Sequence, residues 1–157
     1  MNVIEALMLA RKLHFGQVDK IGEAYAWHCV RVMLRLPANA SENEKIAALL
    51  HDAIEDCGVS GFDLEAYGVP PAAVRLVSSV TREPGQHYDE YIRSIVACGN
   101  MSVRIKRADI ADNTDPMRLA RLDPKDAERL SAKYRKALTI LDGAVHDVKA
   151  EMTREPK

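Results

Sequence analysis

The segment EKIAALLHDAIED, residues 44–56, has the apolar and polar spacing of a helix with two distinct faces. On a wheel of 100° per residue, the apolar face consists of Ile46, Leu49, Leu50, Ala53 and Ile54. The opposite face consists of His51, Asp52, Glu55 and Asp56. The segment therefore predicts an amphipathic helix whose apolar face lies in the core and whose other face is acidic.

This acidic face has two interpretations. Solvent-exposed helix faces are the more common origin of such a pattern, but they usually mix Lys and Arg with Asp and Glu in i, i+4 pairs. Here no cation occurs between Lys45 and Arg75. Like charges at i, i+3 and i+4 weaken a helix unless a cation neutralises them. A divalent-metal site is therefore the alternative, and the helix by itself leaves both interpretations open.

Helical periodicity extends through nearly the whole chain, and the alternation typical of strands is hard to find. Ser41 and Glu44 match the capping-box pattern, so a helix is predicted from about Glu42 to Gly58. Pro70 and Pro71 suit the first turn of the next helix. Further helices are predicted at residues 2–14, 26–36, 87–98, 101–113 and 124–152. The fold prediction is a single all-α domain of residues 1–150 with a frayed tail at residues 151–157.

Composition excludes several classes of partner. The net charge of −1 and the pI of about 6.5 indicate no basic surface for nucleic acid or an anionic membrane. No apolar run approaches the roughly 20 residues of a membrane span, and the first residues, MNVIEALMLARK, do not resemble a signal peptide. Three cysteines without CxxC spacing are typical of reduced thiols. We therefore expect a cytoplasmic protein without a nucleic-acid or membrane partner.

A metal bound by His51 and Asp52 needs ligands from elsewhere in the chain. His28 opens a predicted helix after a turn-rich loop, where its side chain can reach a neighbouring element. Asp109 lies in a predicted helix whose other face is apolar. A single His or Asp at such a position is usually structural, whereas two His with two Asp suit Mn²⁺, Fe²⁺ or Zn²⁺. These four residues are the candidate ligands.

The order of His28, His51-Asp52 and Asp109 resembles the H…HD…D signature of the HD-domain phosphohydrolases. Three blocks resemble the (p)ppGpp hydrolase branch, which contains the Rel/SpoT hydrolase domain and its small stand-alone relatives. These blocks are HFGQVDKIGEAYAWHCVRVM, AALLHDAIED and RIKRADIADNTDPMRL, and KYRKAL resembles the last helix of the small members. The resemblance covers nearly the whole chain and implies an HD-domain helical bundle.

The resemblance also implies a site and a reaction. The metal ligands would be His28, His51, Asp52 and Asp109, holding one divalent metal that is typically Mn²⁺ in the family. Glu55 and Asp56 match the acidic pair that activates and positions water. The matching substrate-binding residues are Lys20, Asn113, Tyr134 and Arg135. The implied reaction removes the 3′-pyrophosphate of (p)ppGpp, the nucleotide of the stringent response, to give GDP or GTP and pyrophosphate.

Two features depart from the family pattern and keep other functions open. Long Rel/SpoT proteins carry two successive basic residues in the loop before the first ligand, the first stacking on guanine, whereas this chain has Asp19-Lys20. The family's PY..HP pattern appears here as Ala24-Tyr25 and His28-Cys29. One alternative is an HD phosphohydrolase of another nucleotide: ppApp, a deoxynucleotide or the 2′-phosphate of NADPH. The other is a non-catalytic nucleotide-binding module, and assembly into a homo-oligomer also stays open.

The basic run Arg104, Lys106 and Arg107 precedes the candidate ligand Asp109. Such a run is most often a solvated helix face, which is our prediction for it. His14 is predicted to be a packed or exposed helix residue, because a lone His carries little information about a site.

Overall fold

The computed structural model describes the backbone of residues 1–152 and the side chains of residues 1–143. Within this range the chain is helical and contains no strand, which confirms the all-α prediction. The helices are α1 (Val3–Leu13), α2 (Tyr25–Leu34), α3 (Glu42–Leu50), α4 (Ala53–Cys57), α5 (Gly61–Ala66), α6 (Pro71–Val80), α7 (Tyr88–Ala97), α8 (Asn100–Asn113), α9 (Pro116–Leu119) and α10 (Pro124–Met152). The frayed tail predicted at residues 151–157 remains a prediction, since α10 reaches Met152 and residues 153–157 lie outside the described range.

Helix α3 is the centre of the larger of two apolar clusters. It packs against α1, α2 and α6. Its residues Ile46, Leu49 and Leu50 are completely buried, as the apolar face of segment 44–56 predicts. Burying three such side chains contributes roughly 1.5–3 kcal/mol each. Segment 44–56 therefore supplies both the centre of this apolar cluster and two of the candidate ligands.

A second apolar cluster joins α7, α8 and α10. Tyr91 and Ile95 of α7 pack there with Ile110 of α8 and Leu141 of α10. Helix α8 also supplies Ile105 to the first cluster. Because both sides of α8 are covered, its polar residues Lys106, Asp109 and Asp112 are buried and face other protein groups.

Local sequence explains where α3, α4 and α6 begin or end. The Ser41 side chain accepts a hydrogen bond from the Glu44 backbone, and the Glu44 side chain accepts one from the Ser41 backbone, which confirms the predicted capping box. Pro71 occupies the first position of α6. Gly58, with φ of 66°, ends α4 in the left-handed conformation that favours glycine.

The prediction of one helix from Glu42 to Gly58 was wrong at its centre. The structure divides it into α3 and α4 at the pair His51-Asp52, where Asp52 has φ of −100° and ψ of 2°. The short helices α5 and α9 were not predicted either. Short helices contain too few residues for a 3.6-residue period to be recognised.

None of the described helices is both long enough and apolar enough to cross a membrane.

Candidate metal centre

The four predicted ligands converge from three parts of the fold: α2, the turn between α3 and α4, and α8. One nitrogen of His28, one of His51 and a carboxylate oxygen of Asp52 lie within 4.8 Å of one another. Asp109 Oδ1 is 3.4 Å from His28 Nε2 and 3.8 Å from His51 Nε2. The set contains two imidazole nitrogens and two carboxylates, which is the mixed N/O chemistry of Mn²⁺, Fe²⁺ and Zn²⁺ sites.

The break between α3 and α4 allows adjacent residues to face one point. In a regular helix, neighbouring side chains point about 100° apart. Here the turn at Asp52 interrupts that rotation, and His51 Nε2 lies 2.9 Å from Asp52 Oδ2. The break between α3 and α4 therefore places one nitrogen of His51 and one oxygen of Asp52 where both could bind the same metal.

Both histidines direct Nε2 toward the centre because Nδ1 is held from behind. His28 Nδ1 donates to Asp112 Oδ2 at 2.8 Å, and His51 Nδ1 donates to the Ala48 carbonyl at 2.9 Å. Such partners fix the tautomer and the ring orientation of metal-binding histidines. His51 Nε2 is buried and, among the described residues, has no hydrogen-bond partner. A metal ion would give this nitrogen a partner and would bind the adjacent Asp52 oxygen as well.

The charges of the site indicate the same need for a cation. Burial lowers the pKa of His28, yet the nearby carboxylates of Asp109, Asp112 and Asp52 raise it to about 11. For His51, burial is likewise outweighed by Asp52 and Asp109, and its pKa rises to about 9. Buried carboxylates therefore demand positive charge between them, which protonated histidines or a divalent metal can supply.

Two side chains hold the ligand Asp109 in place. Lys106 Nζ donates to Asp109 Oδ2 at 2.6 Å, and Asn113 Nδ2 donates to Asp109 Oδ1 at 2.5 Å. Lys106 is buried, with Nζ 5.0 Å from the centre of the Tyr91 ring, so the prediction of a solvated basic face was wrong for this residue. Asn113, predicted to bind substrate, donates its amide to the candidate ligand Asp109, and its role toward the substrate stays a prediction.

Tyr25 holds the ligand Asp52 in a similar way. Its hydroxyl donates to Asp52 Oδ2 at 2.6 Å, and its ring stacks on His14 at 4.8 Å. His14 is buried and makes a 2.7 Å hydrogen bond with Gln17. His14 is thus a packed residue that supports Tyr25 and does not contact the ligands directly.

The predicted water-handling pair lies in α4, directly after the candidate ligands His51 and Asp52. Glu55 is exposed, and its Oε2 accepts a hydrogen bond from the Arg82 backbone N–H at 3.2 Å. A cleft of about 430 Å³ adjoins Glu55, lined by residues 54–55 and 81–85. Partial burial and the nearby Asp52 carboxylate raise the pKa of Asp56. Both acids therefore adjoin the ligands without belonging to the ligand set.

The remaining predicted substrate residues are less uniform. Lys20 is exposed in the loop before α2, Tyr134 is buried in the second apolar cluster, and Arg135 is exposed on α10. No hydrogen bond or ion pair between described residues connects Arg135 to the site. Lys133, two positions earlier on α10, has its Nζ 4.1 Å from the centre of the Tyr88 ring and 5.2 Å from that of the Tyr134 ring.

Sequence reasoning missed a buried charge network behind His28. Asp112, which is completely buried, accepts from His28 Nδ1 and also from Arg31 Nε at 2.8 Å. Asp19 turns inward, and its Oδ2 lies 3.1 Å from Arg31 and 2.9 Å from Arg118. The spacing contains a usable signal: His28/Arg31 and Asp109/Asp112 are i, i+3 pairs, so each partner shares a helix face with a ligand.

Replacing Lys106 by methionine tests the support of Asp109. We expect Lys106→Met to lower the free energy of unfolding of the metal-free protein by about 3–5 kcal/mol, because it removes the cation from a buried ion pair with Asp109. Lys136→Met is the matched control, since Lys136 is exposed and its pair with Asp89 should contribute at most about 1 kcal/mol. Urea unfolding measures both values. Equal losses in the two variants would show that Lys106 is no more than a surface charge.

Known proteins share both the sequence and the fold. The chain is 32% identical over 164 residues to a guanosine-3′,5′-bis(diphosphate) 3′-pyrophosphohydrolase of Vibrio cholerae, a match that covers 95% of this chain and 23% of the relative. It is 29% identical to the bifunctional (p)ppGpp synthase/hydrolase SpoT of Escherichia coli K12, over 94% of this chain and 22% of that protein. The chain thus spans less than a quarter of the length of these curated relatives. No family model matches the sequence.

The fold of this chain is also similar to that of a solved structure from the same group of relatives. A metazoan orthologue of SpoT, described as hydrolysing ppGpp, superimposes with a TM-score of 0.74 and 25% identity. The match covers 90% of this chain and 86% of the other. The chain is therefore a homologue of proteins named ppGpp 3′-pyrophosphohydrolases and shares the all-α fold of a SpoT orthologue.

Proposed function

We propose that this chain is a metal-dependent phosphohydrolase that removes the 3′-pyrophosphate of (p)ppGpp and yields GDP or GTP and pyrophosphate. The observation that carries the proposal is the convergence of His28, His51, Asp52 and Asp109 with both Nε2 atoms directed inward. The relatives named for this reaction support the choice of substrate. We propose Mn²⁺ as the metal, since it is one of the ions that the mixed N/O set suits and is the one typical of the family that the sequence resembles.

The roles of the residues follow from their positions. His28, His51, Asp52 and Asp109 would hold the metal, which when bound lowers the pKa of water and polarises a phosphoryl oxygen. Glu55 takes the proton of the attacking water, because it follows His51-Asp52 closely in α4 and lines the adjoining cleft. Asp56 orients this water or the leaving ribose oxygen. The bond that breaks joins the ribose 3′-oxygen to the first phosphorus of the pyrophosphate group.

A group of cations beside the centre is suited to the phosphates. Partial burial lowers the pKa of Lys133, and neighbouring positive charges lower it further. These neighbours are Lys106, Lys20 and Arg82. The Tyr88 hydroxyl beneath Lys133 is buried and lacks a hydrogen-bond partner among the described residues. We therefore propose Lys20, Arg82 and Lys133 as phosphate-binding cations, with Lys133 taking the role predicted for Arg135.

The variant Lys133→Met tests this exchange of roles. A hydrogen bond to a charged group contributes about 1.5–3 kcal/mol, so we expect KM for ppGpp to rise roughly 10- to 100-fold with a smaller change in kcat. Arg135→Met, two positions further along the same helix, should change KM less than about twofold. Initial-rate kinetics of the two variants measure KM and decide which residue binds phosphate. A larger rise in KM for Arg135→Met than for Lys133→Met would assign the role to Arg135.

The decisive experiment is metal analysis of the purified protein followed by turnover of a nucleotide panel with Mn²⁺. We expect about one metal per chain and release of pyrophosphate from ppGpp, measured by HPLC. Intact ppGpp after incubation with the Mn²⁺-loaded protein would refute the substrate assignment. Metal binding without turnover of any nucleotide would support the non-catalytic module instead.

One observation favours a second substrate class. Asp19 is directed into the protein by Arg31 and Arg118, so its side chain is not available to a nucleobase. An HD phosphohydrolase of ppApp, a deoxynucleotide or the 2′-phosphate of NADPH is therefore the second candidate, and the same panel tests it.

A cytoplasmic location is also part of the proposal, since Cys29, Cys57 and Cys98 are all free thiols.

A further inference from the structure

We propose that Asp112 is a positioning residue for the metal ligand His28, and that Arg31 and Arg118 couple it to the loop that carries Lys20. The loop comprises residues 17–24, between α1 and α2. This inference rests on the metal centre of the proposed function, and it goes beyond that function by assigning a role to four residues outside the ligand set. These residues are Asp19, Arg31, Asp112 and Arg118.

Asp112 has no solvent contact through which its charge could be satisfied. Its side chain is 0% exposed, and its two oxygens accept from two different residues. Oδ2 accepts from His28 Nδ1, and Oδ1 accepts from Arg31 Nε, both at 2.8 Å. A carboxylate that accepts from the distal nitrogen of a metal-binding histidine fixes the ring and increases the basicity of the other nitrogen. Asp112 is therefore placed to set how His28 Nε2 meets the metal.

One guanidinium group bridges Asp112 to Asp19, and a second lies beside both. Arg31 donates Nε to Asp112 and Nη2 to Asp19, the latter at 3.1 Å. Arg118 approaches from α9, with Nη2 2.9 Å from Asp19 and Nε in the weaker ion-pair range of Asp112 at 3.5 Å. Because a guanidinium group is a rigid planar fork, displacing one of its partners displaces the other. Asp19 and Asp112 are thus held as one unit.

Asp19 in turn organises the loop. Its Oδ1 accepts from the backbone N–H groups of Ile21 and Glu23, each at 3.0 Å. The Glu23 side chain meets Arg31 NH1 at 3.1 Å and is also paired with Arg121. Lys20 lies between these anchored residues. The position of a proposed substrate lysine and the orientation of a metal ligand therefore depend on the same two arginines.

The affinity of the metal-free protein for Mn²⁺, measured by titration calorimetry without nucleotide, tests this coupling. We expect Asp112→Asn to weaken binding about 10- to 100-fold, the usual effect of removing such a partner. Asp19→Asn should weaken binding about 3- to 10-fold, although Asp19 contacts no ligand. The double variant should lose at least about threefold less than the product of the two losses, because both act through Arg31 and Arg118.

Two further variants separate positioning from general stability. Asp126→Asn removes an exposed carboxylate whose partner, Arg129, makes no ion pair with Asp112 or Asp19 among the described residues, so Mn²⁺ affinity should stay unchanged. Arg31→Lys keeps the charge but cannot bridge two carboxylates, so it should reproduce the Asp19→Asn loss. With Co²⁺ in place of Mn²⁺, Asp112→Asn should also shift the visible absorption bands, because the field of the His28 nitrogen changes.

The outcomes are distinct. Unchanged Mn²⁺ affinity in folded Asp112→Asn would overturn the positioning role, and strictly multiplicative losses in the double variant would overturn the coupling to the loop. A wild-type protein that binds no Mn²⁺ would overturn both. A wild-type protein that binds Mn²⁺ but leaves ppGpp intact would refute the proposed substrate while the inference about Asp112 stands.

Discussion

His51→Gln is expected to abolish metal retention and to lower the rate of ppGpp hydrolysis about a thousandfold or more. His51 supplies a buried nitrogen that has no hydrogen-bond partner among the described residues, and its loss leaves two carboxylates beside one histidine. Polarisation of a phosphoryl oxygen by a metal contributes several kcal/mol, and about 4 kcal/mol corresponds to roughly a thousandfold in rate. Metal content after dialysis and single-turnover rates measure the two effects.

His87→Gln provides the control for this experiment. His87 is exposed and precedes α7, so its replacement should leave both metal content and rate within about twofold of wild type. If His51→Gln retained one metal per chain and normal turnover, the metal centre would have to be sought elsewhere in the protein.

Glu55→Gln is expected to lower kcat by a factor of about 10² to 10⁴ while one metal per chain remains bound. The amide keeps the size of the side chain and can still accept the hydrogen bond from the Arg82 backbone, but it cannot take a proton from water. The rate should fall while the metal content stays constant, because Glu55 does not belong to the ligand set. Rates with saturating Mn²⁺ and metal analysis measure the two quantities.

Glu65→Gln, an exposed position on α5, is the matched control and should change neither quantity. The free energy of unfolding should stay within about 0.5 kcal/mol of wild type in both glutamine variants. Full activity of Glu55→Gln would transfer the role of base to another group, with Asp56 the next to replace.

The sequence by itself determined the elements that depend on local physics. Apolar residues repeating every three to four positions predicted the long helices, and the capping box at Ser41 predicted where α3 begins. Such patterns act within one or two turns of chain. The four candidate ligands were also found in sequence, because their order matches a known signature, and the structure brings them together.

Only the tertiary structure decided how these residues work together. The break at His51-Asp52 is invisible in a helical wheel, since a wheel assumes the 100° rotation that the break removes. Lys106 looked like a solvated cation because its burial depends on α7 and α10 packing over α8. Asp19 looked like a loss of substrate recognition, yet Arg31 and Arg118 from two other helices make it part of the support of His28. Pairings across 80 or more residues depend on packing, which no local pattern encodes.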